Sequence, residues 1–105
     1  ANSTSVGDII TFSNLEIGKV YTVVGQINSA AASFSFIRHN GVDLSQSTNS
    51  GSGAIPINSG TFIATATTVS VYQGNTNTIF GTNDRTGTWV ELCYKGNTVT
   101  TTEFN

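Results

Sequence analysis

Residues Gly60–Phe80 read GTFIATATTVSVYQGNTNTIF, the longest run of strand-forming residues in the chain. Threonine, valine, isoleucine, phenylalanine and tyrosine are typical of β-strands. Apolar side chains fall on even positions from Phe62 and on odd positions from Val69. Because side chains of a strand alternate between two faces, one straight strand cannot send both sets to the same face. The stretch therefore holds a bulge or tight turn at Thr67-Thr68, or two halves that point into different layers.

Turn signals divide the rest of the chain into short strands. Asn40-Gly41 is the strongest, since both residues accept positive φ in a two-residue hairpin turn. This turn predicts that Arg38 faces Asp43 and that Ile37 faces Leu44. Opposite charges on facing positions stabilise a hairpin, so the first pair supports this register.

The end of the chain predicts a second hairpin. Its strands are Thr88–Tyr94 and Thr98–Phe104, and Gly96-Asn97 forms its turn. This register makes three cross-strand pairs: Tyr94 with Val99, Cys93 with Thr100, and Trp89 with Phe104. The last pair would form an aromatic clamp where the C-terminus leaves the sheet.

Together the segments predict one all-β domain. We expect residues 1–8 to be a flexible lead-in from an upstream shaft, and residues 9–105 to form a single sandwich domain of about eight short strands. Gln46–Gly53 (QSTNSGSG) is of low complexity and predicts a mobile loop or linker-like excursion. Pro56 confines the following AIPI segment to an edge or a short strand. Such spacing is typical of an antiparallel two-sheet sandwich, either a jelly roll or a Greek key.

The composition favours an extracellular or virion protein. Serine, threonine, asparagine and glycine make up about half of the chain, and only 10 residues are charged. Ten aromatic residues and a net charge of −2 argue for a folded chain. There is no basic patch for nucleic acid, and no apolar run is long enough to span a bilayer. The lone Cys93 excludes an intrachain disulfide and is expected to be a small buried hydrophobe.

No pattern of catalytic residues is visible. His39 is the only histidine, and a lone histidine in a hairpin is more often structural than catalytic. Zinc sites need further histidine or cysteine ligands, and the six carboxylates show no spacing typical of a calcium loop or a glycosidase pair. The sequence therefore predicts a non-enzyme without a metal or cofactor.

Loop polar groups are the remaining candidates for ligand binding, although they equally suit an ordinary solvated loop. The candidates are Tyr72, Gln73, Asn75, Asn83, Asp84 and Arg85. Lys19–Ile27 is apolar on both faces, with Val20 and Val24 on the face that a sandwich would expose. This excess indicates a subunit interface or a cover of loops. Ala64 and Ala66 would let neighbouring backbones approach closely, or would fill a tight core.

Three segments carry a family resemblance: NLEIGKVYTV, GTFIATATTVSVYQGN and RTGTWVELCYKGNTVTTTEF. Their order resembles the C-terminal tip domains of tailed-phage tail fibres and tail needles. Those domains are small trimeric jelly-roll knobs, similar in shape to the tumour-necrosis-factor fold. The resemblance implies a homotrimer at the distal tail tip of a virion, outside the cell, that contacts a receptor or glycan or penetrates the host surface. It implies no catalytic or metal-binding residues.

Two other classes stay open. A monomeric carbohydrate-binding module would need an exposed aromatic platform, which Trp89 and Tyr72 could supply. A pilus or capsid-like subunit would need an open edge strand or a groove that accepts a strand from a partner. The molecular mass in solution separates the trimeric knob from the monomeric module.

Overall fold

The computed structural model describes residues 2–81 and 86–105. These residues form nine strands: β1 Gly7–Phe12, β2 Val20–Ser29, β3 Ser33–His39, β4 Val42–Asn49, β5 Gly53–Ile63, β6 Val69–Gln73, β7 Ile79–Phe80, β8 Trp89–Tyr94 and β9 Asn97–Thr102. The all-β class is confirmed, with one strand more than expected. No helix long and apolar enough to cross a membrane occurs in the described residues.

The strands form two antiparallel sheets. The four-stranded sheet has the order β1-β6-β3-β4, and the five-stranded sheet has the order β5-β2-β8-β9, with β7 also paired to β2. This arrangement is consistent with a sandwich, as expected. The finer jelly-roll topology stays a prediction, because the strand order does not establish it. β3 and β4 form a hairpin within the four-stranded sheet, and β8 and β9 form one within the five-stranded sheet.

The hydrophobic core is built from the inward faces of both sheets. Among its most deeply buried members are Ile10, Val23, Ile27, Ile37, Val69, Val71, Ile79 and Val90. Burying one such side chain stabilises the fold by roughly 1.5–3 kcal/mol, so this layer accounts for much of the stability. The outward faces of the two sheets remain for surface functions.

The phase change near Thr67-Thr68 is a change of sheet. β5 ends at Ile63 in the five-stranded sheet, residues 64–68 cross over, and β6 begins at Val69 in the four-stranded sheet. The crossing is fastened by backbone hydrogen bonds: the Ala64 N–H donates to the Lys19 carbonyl, and the Leu15 N–H donates to the Thr67 carbonyl, both at 2.9 Å. Of the two expected alternatives, the correct one is therefore that the two halves of the stretch lie in different layers.

The Asn40-Gly41 hairpin is confirmed at its turn. Both residues have positive φ, 50° and 77°, and Arg38 faces Asp43. The next predicted pair is wrong, because a bulge at Ile37/Arg38 places Ile37 opposite Ser45 instead of Leu44. A bulge adds one residue to one strand and shifts every pair beyond it.

The predicted register of the second hairpin is wrong. Its turn is Lys95-Gly96, with φ of 53° and 79°, so Tyr94 faces Asn97 and Cys93 faces Thr98. Glycine occupies the second position of this turn, as in Asn40-Gly41, where a positive φ costs least.

The aromatic clamp between Trp89 and Phe104 is also wrong. β9 ends at Thr102, and Phe104 packs against the core instead. The chain end is drawn toward β1, because the Asn105 N–H donates a hydrogen bond of 2.7 Å to the Ile9 carbonyl.

The segment Gln46–Gly53 is ordered, contrary to the prediction of a mobile loop. β4 extends to Asn49, and only residues 50–52 turn. The Asn49 amide is buried; it donates to the Gly53 carbonyl at 2.9 Å and accepts from the Gly51 N–H at 3.1 Å. The hydrogen bonds of Asn49 thus close a tight turn, which the polar composition of the segment did not indicate. Pro56 lies on β5, an edge strand, as predicted.

The lead-in is attached to the domain at Ser3. The Ser3 N–H donates to the Ile79 carbonyl at 2.9 Å, and the Ile79 N–H donates to the Ser3 carbonyl at 2.8 Å. β1 begins at Gly7, two residues before the predicted first strand.

Candidate functional site

A row of aromatic rings lies on the outer face of the four-stranded sheet. We call Phe34, Phe36 and Tyr72 the aromatic row. The ring centres of Phe34 and Phe36 are 5.9 Å apart, and those of Phe36 and Tyr72 are 6.2 Å apart. Phe34 lies against Gly74, where an added Cβ would come within 2.1 Å of the ring. A glycine at position 74 therefore leaves the space that the Phe34 ring occupies.

Arg38 continues the row at its other end. The centre of its guanidinium lies 3.8 Å from the Tyr72 ring centre and 5.1 Å from that of Phe36. Its Nε donates to the Asp43 carboxylate across the hairpin. That hydrogen bond raises the pKa of Arg38 above its ordinary value, and a hydrogen bond with Tyr72 acts in the same direction. The side chain is thus a fixed cation held on two aromatic rings.

A cleft of about 360 Å³ opens beside Arg38. We call it the Arg38 cleft. Six polar residues line it: Asp8, Arg38, Asn40, Thr68, Ser70 and Tyr72. β1 pairs with β6 so that Asp8 faces Tyr72, and β3 pairs with β6 so that Arg38 faces Ser70. Three strands and a crossover therefore bring both charge signs, hydroxyls and an aromatic ring to one place.

His39 holds one wall of the Arg38 cleft. The buried imidazole contacts Thr68, whose carbonyl lies 2.8 Å from Nδ1, and the Thr65 N–H donates to Nε2 at 2.9 Å. Because Nε2 accepts, Nδ1 carries the proton and donates to Thr68. Both ring nitrogens are used within the fold, which is the structural role expected for this histidine.

The outer face of the five-stranded sheet is apolar at one end. Val20 and Ile63 face each other across β2 and β5 and are 45% and 60% exposed. Val24 and Cys93 are half-buried; Cys93 pairs with Thr22, between the two valines on the outward side of β2. We call Val20, Val24, Ile63 and Cys93 the apolar face.

Two lysines border the apolar face. The ammonium groups of Lys19 and Lys95 lie 5.2 and 5.3 Å from the centre of the Tyr94 ring. Lys19 also forms an ion pair with Glu16 at 2.6 Å. The hydrogen bond to Glu16 raises the pKa of Lys19 above its ordinary value, so this lysine is charged at neutral pH.

The predicted ligand-binding residues do not form one site. Of the candidates that the structure describes, only Tyr72 lines the Arg38 cleft. Gln73 is fully buried, and its side chain accepts from the Ser3 hydroxyl at 2.6 Å and donates to the Asn77 carbonyl at 2.9 Å. Asn75 donates to the Ala32 carbonyl at 3.1 Å and so fastens its own loop. Asn83, Asp84 and Arg85 lie outside the described residues.

The predicted interface residues do not share one surface. Val20 and Val24 belong to the apolar face, whereas Ala64 is only 1% exposed and fills the core. Ala66 is half-buried and lines the Arg38 cleft at the other sheet. Within the domain, the small side chain of Ala64 serves a tight core, which was the alternative expectation.

Asp8 and Arg38 were missed as site residues. Arg38 was recognised only as a partner of Asp43, and Asp8 only as one of several scattered carboxylates. Their proximity depends on β1–β6 and β3–β6 pairing between segments far apart in sequence. The signal that could have helped is the alternation of β3, which sends Phe34, Phe36 and Arg38 outward together.

The described residues contain no group of three histidine, cysteine, aspartate or glutamate side chains that could hold a metal ion. Comparison of the chain with known protein families, with curated proteins and with solved structures finds no match. A function for this chain is therefore inferred from its own residues.

Proposed function

We propose that this domain is a non-catalytic recognition module that forms a homotrimer at the tip of a phage tail fibre or tail needle and contacts the host surface. The apolar face is the observation that carries this proposal. Val20 and Ile63 are adjacent and well exposed, while Val24 on the same face pairs with Glu91 of β8. Burial against a second copy removes such a surface from water.

The geometry of the sheet supports this use of the apolar face. Side chains on one face of a sheet form a continuous surface, and the apolar faces of three copies can meet around a three-fold axis. β5 is also an edge strand, and its unpaired backbone is a surface that proteins usually cover or blunt. Pro56 blunts one part of this edge, and a neighbouring subunit would cover the part near Ile63.

In this proposal, association and ligand binding use different sheets. Association uses the outer face of the five-stranded sheet, and the aromatic row and Arg38 cleft lie on the four-stranded sheet. A ligand site and an oligomer interface can then coexist without competing for the same residues. Such a division suits a fibre tip, where several copies present identical sites outward.

The test is light scattering on the purified domain. We expect a mass three times the 11.0 kDa of one chain. Val20→Glu and Ile63→Glu should each give monomers, because the interface would have to bury a charge. Val42→Glu is the matched control: Val42 is 59% exposed at the hairpin of the other sheet, and its variant should stay trimeric. A monomeric wild-type domain would overturn the trimer.

The aromatic row favours a second candidate, a monomeric carbohydrate-binding module. Three half-buried rings lie together on the outer face of one sheet, and the Arg38 guanidinium stacks on two of them. Aromatic rings supply the apolar surface against which a sugar ring packs. This candidate predicts a monomer that binds glycan, whereas the first predicts a trimer. The same scattering measurement separates them.

A further inference from the structure

We propose that the Arg38 cleft binds an uncharged saccharide, with Arg38 and Asp8 hydrogen-bonding its hydroxyl groups beside the Tyr72 ring. This inference rests on the proposed recognition role and names its site and ligand class. It does not depend on the trimer. The cleft, at about 360 Å³, falls within the range of roughly 300–1,000 Å³ that ligand pockets occupy.

Arg38 is a preoriented donor. Asp43 takes its Nε hydrogen, and stacking on Tyr72 and Phe36 fixes the plane of the guanidinium. The terminal nitrogens of an arginine carry further N–H groups, which bind oxygen acceptors without a new loss of side-chain freedom. A hydroxyl oxygen of a sugar is such an acceptor.

Asp8 supplies the complementary acceptor. It lines the same cleft as Arg38, and none of the described residues donates a hydrogen bond to its carboxylate or forms an ion pair with it. A carboxylate accepts several hydrogen bonds, so it can receive two neighbouring hydroxyl protons of one sugar ring. Ligands that offer donors and acceptors on adjacent atoms match this pair.

The charges around the cleft favour an uncharged ligand. Arg38 is the only cation among the described residues that line it, and its charge is already compensated by Asp43. An anionic ligand in the cleft would meet Asp8, and a cationic ligand would meet Arg38. Like charges placed close together at a binding site oppose association.

The walls of the cleft are held in place before any ligand arrives. The hydroxyls of Ser70 and Thr11 lie 3.2 Å apart and share a hydrogen bond, and Asn40 Nδ2 donates to the Thr65 hydroxyl at 3.2 Å. His39 fixes the segment that carries Thr68. A preformed site loses little conformational freedom on binding, which compensates for the few contacts that one sugar can make.

The experiment is an NMR titration of the isotopically labelled domain with four neutral probes: the methyl glycosides of mannose, galactose, glucose and N-acetylglucosamine. The methyl glycoside of sialic acid is the anionic probe. We expect at least one neutral probe to bind in the millimolar range and to shift the signals of Arg38 Nε and of the Ser70 and Tyr72 amides. The anionic probe should bind more weakly.

Two variants locate the site. Asp8→Asn and Arg38→Lys should each weaken binding of the same neutral probe by about tenfold, the loss expected for one charge-assisted hydrogen bond. Glu103→Gln removes one negative charge from an exposed position near the chain end and should bind as the wild type does. Stronger binding of the sialoside, no binding of any neutral probe, or binding indifferent to both variants would each overturn the inference.

Light scattering on the same samples keeps the two proposals distinct. A trimer that binds no neutral probe refutes the saccharide site and leaves the trimer standing. A monomer that binds a neutral probe through Asp8 and Arg38 supports the site and refutes the trimer.

Discussion

The guanidinium of Arg38 lies over the ring of Tyr72, 3.8 Å from its centre, and is tied by its Nε to Asp43. The same side chain thus joins β4 to β6 across β3, the strand that carries it. An ion pair on a surface hairpin contributes little when it stands alone. Here the aromatic contact and the ion pair depend on one orientation, so each is expected to strengthen the other.

This coupling predicts the outcome of a charge exchange. Arg38→Asp and Asp43→Arg should each lower the midpoint of urea denaturation. The double exchange should recover part of the loss but not all of it. An arginine at position 43 lies on β4, so the contact between the guanidinium and the Tyr72 ring is lost. A full recovery would show that the ion pair alone matters, and no recovery would contradict the Arg38–Asp43 pairing.

His39 provides the second prediction. Replacing it with alanine removes both hydrogen bonds to the crossover and leaves the Thr65 N–H without its acceptor. We expect a loss of about 2–4 kcal/mol in the free energy of unfolding, measured by urea denaturation. Thr68→Ala is the control, since the imidazole bonds to the backbone of Thr68 and not to its side chain. That variant should change stability by less than about 0.5 kcal/mol.

The third prediction concerns Gly25. A Cβ at this position would lie 2.0 Å from the Trp89 carbonyl oxygen, a backbone atom that can move only if β2 and β8 separate. Gly25→Ala should therefore destabilise the domain by about 3 kcal/mol or more, or prevent folding.

Gly51→Ala is the matched control for Gly25. Gly51 has ordinary φ and open space around it, so this change should be neutral or stabilise by up to about 1 kcal/mol. Equal effects of the two substitutions, measured by thermal denaturation, would contradict the close approach of β2 and β8.

Buried serines give the fourth prediction. The Ser35 hydroxyl is buried, and no residue in the described part of the chain forms a hydrogen bond with it. The equally buried Ser29 hydroxyl accepts from Asn49 at 3.1 Å. Ser35→Ala should be neutral or stabilise by about 1 kcal/mol, whereas Ser29→Ala should cost about 1–2 kcal/mol. Urea denaturation of the pair tests the difference, and the reverse order would refute it.

Local chemistry made part of this fold predictable from the sequence. The Asn40-Gly41 turn depends on two adjacent residues that accept positive φ, and the phase change between Phe62 and Val69 follows from strand alternation. The turn was predicted correctly because its cause lies within two residues, whereas the phase change left two explanations open, a bulge or turn and a change of layer. The Lys95-Gly96 turn was misplaced by one residue, since the short-range signal was equally good for Gly96-Asn97.

Most residues of the candidate site could not be predicted from the sequence. Tyr72 was identified because it flanks a turn, but its neighbours Asp8 and Arg38 arrive through pairing of distant strands. Gln73 shows the opposite error: a polar residue beside a turn was assigned to the surface although it is fully buried. Its amide bonds to the nearby Asn77 carbonyl and to the Ser3 hydroxyl, and Ser3, 70 residues away, has no local signature in the chain.

The last prediction uses Cys93 as a reporter of the proposed trimer. This free, half-buried thiol belongs to the apolar face, where its cross-strand partner Thr22 lies between Val20 and Val24. If copies associate through that face, the thiol is covered in the trimer and open in a monomer. Labelling with a thiol reagent should then be several-fold slower in the wild-type domain than in Val20→Glu.

The control for this measurement is Val42→Glu, which should label at the wild-type rate because it alters the other sheet. Diluting the wild-type domain should accelerate labelling toward the Val20→Glu rate, since dissociation of a trimer depends on concentration. Equal rates in all three proteins at every concentration would mean that no copy covers Cys93. The apolar face would then be solvent-exposed, and a trimer, if the domain forms one, would have to associate through another surface.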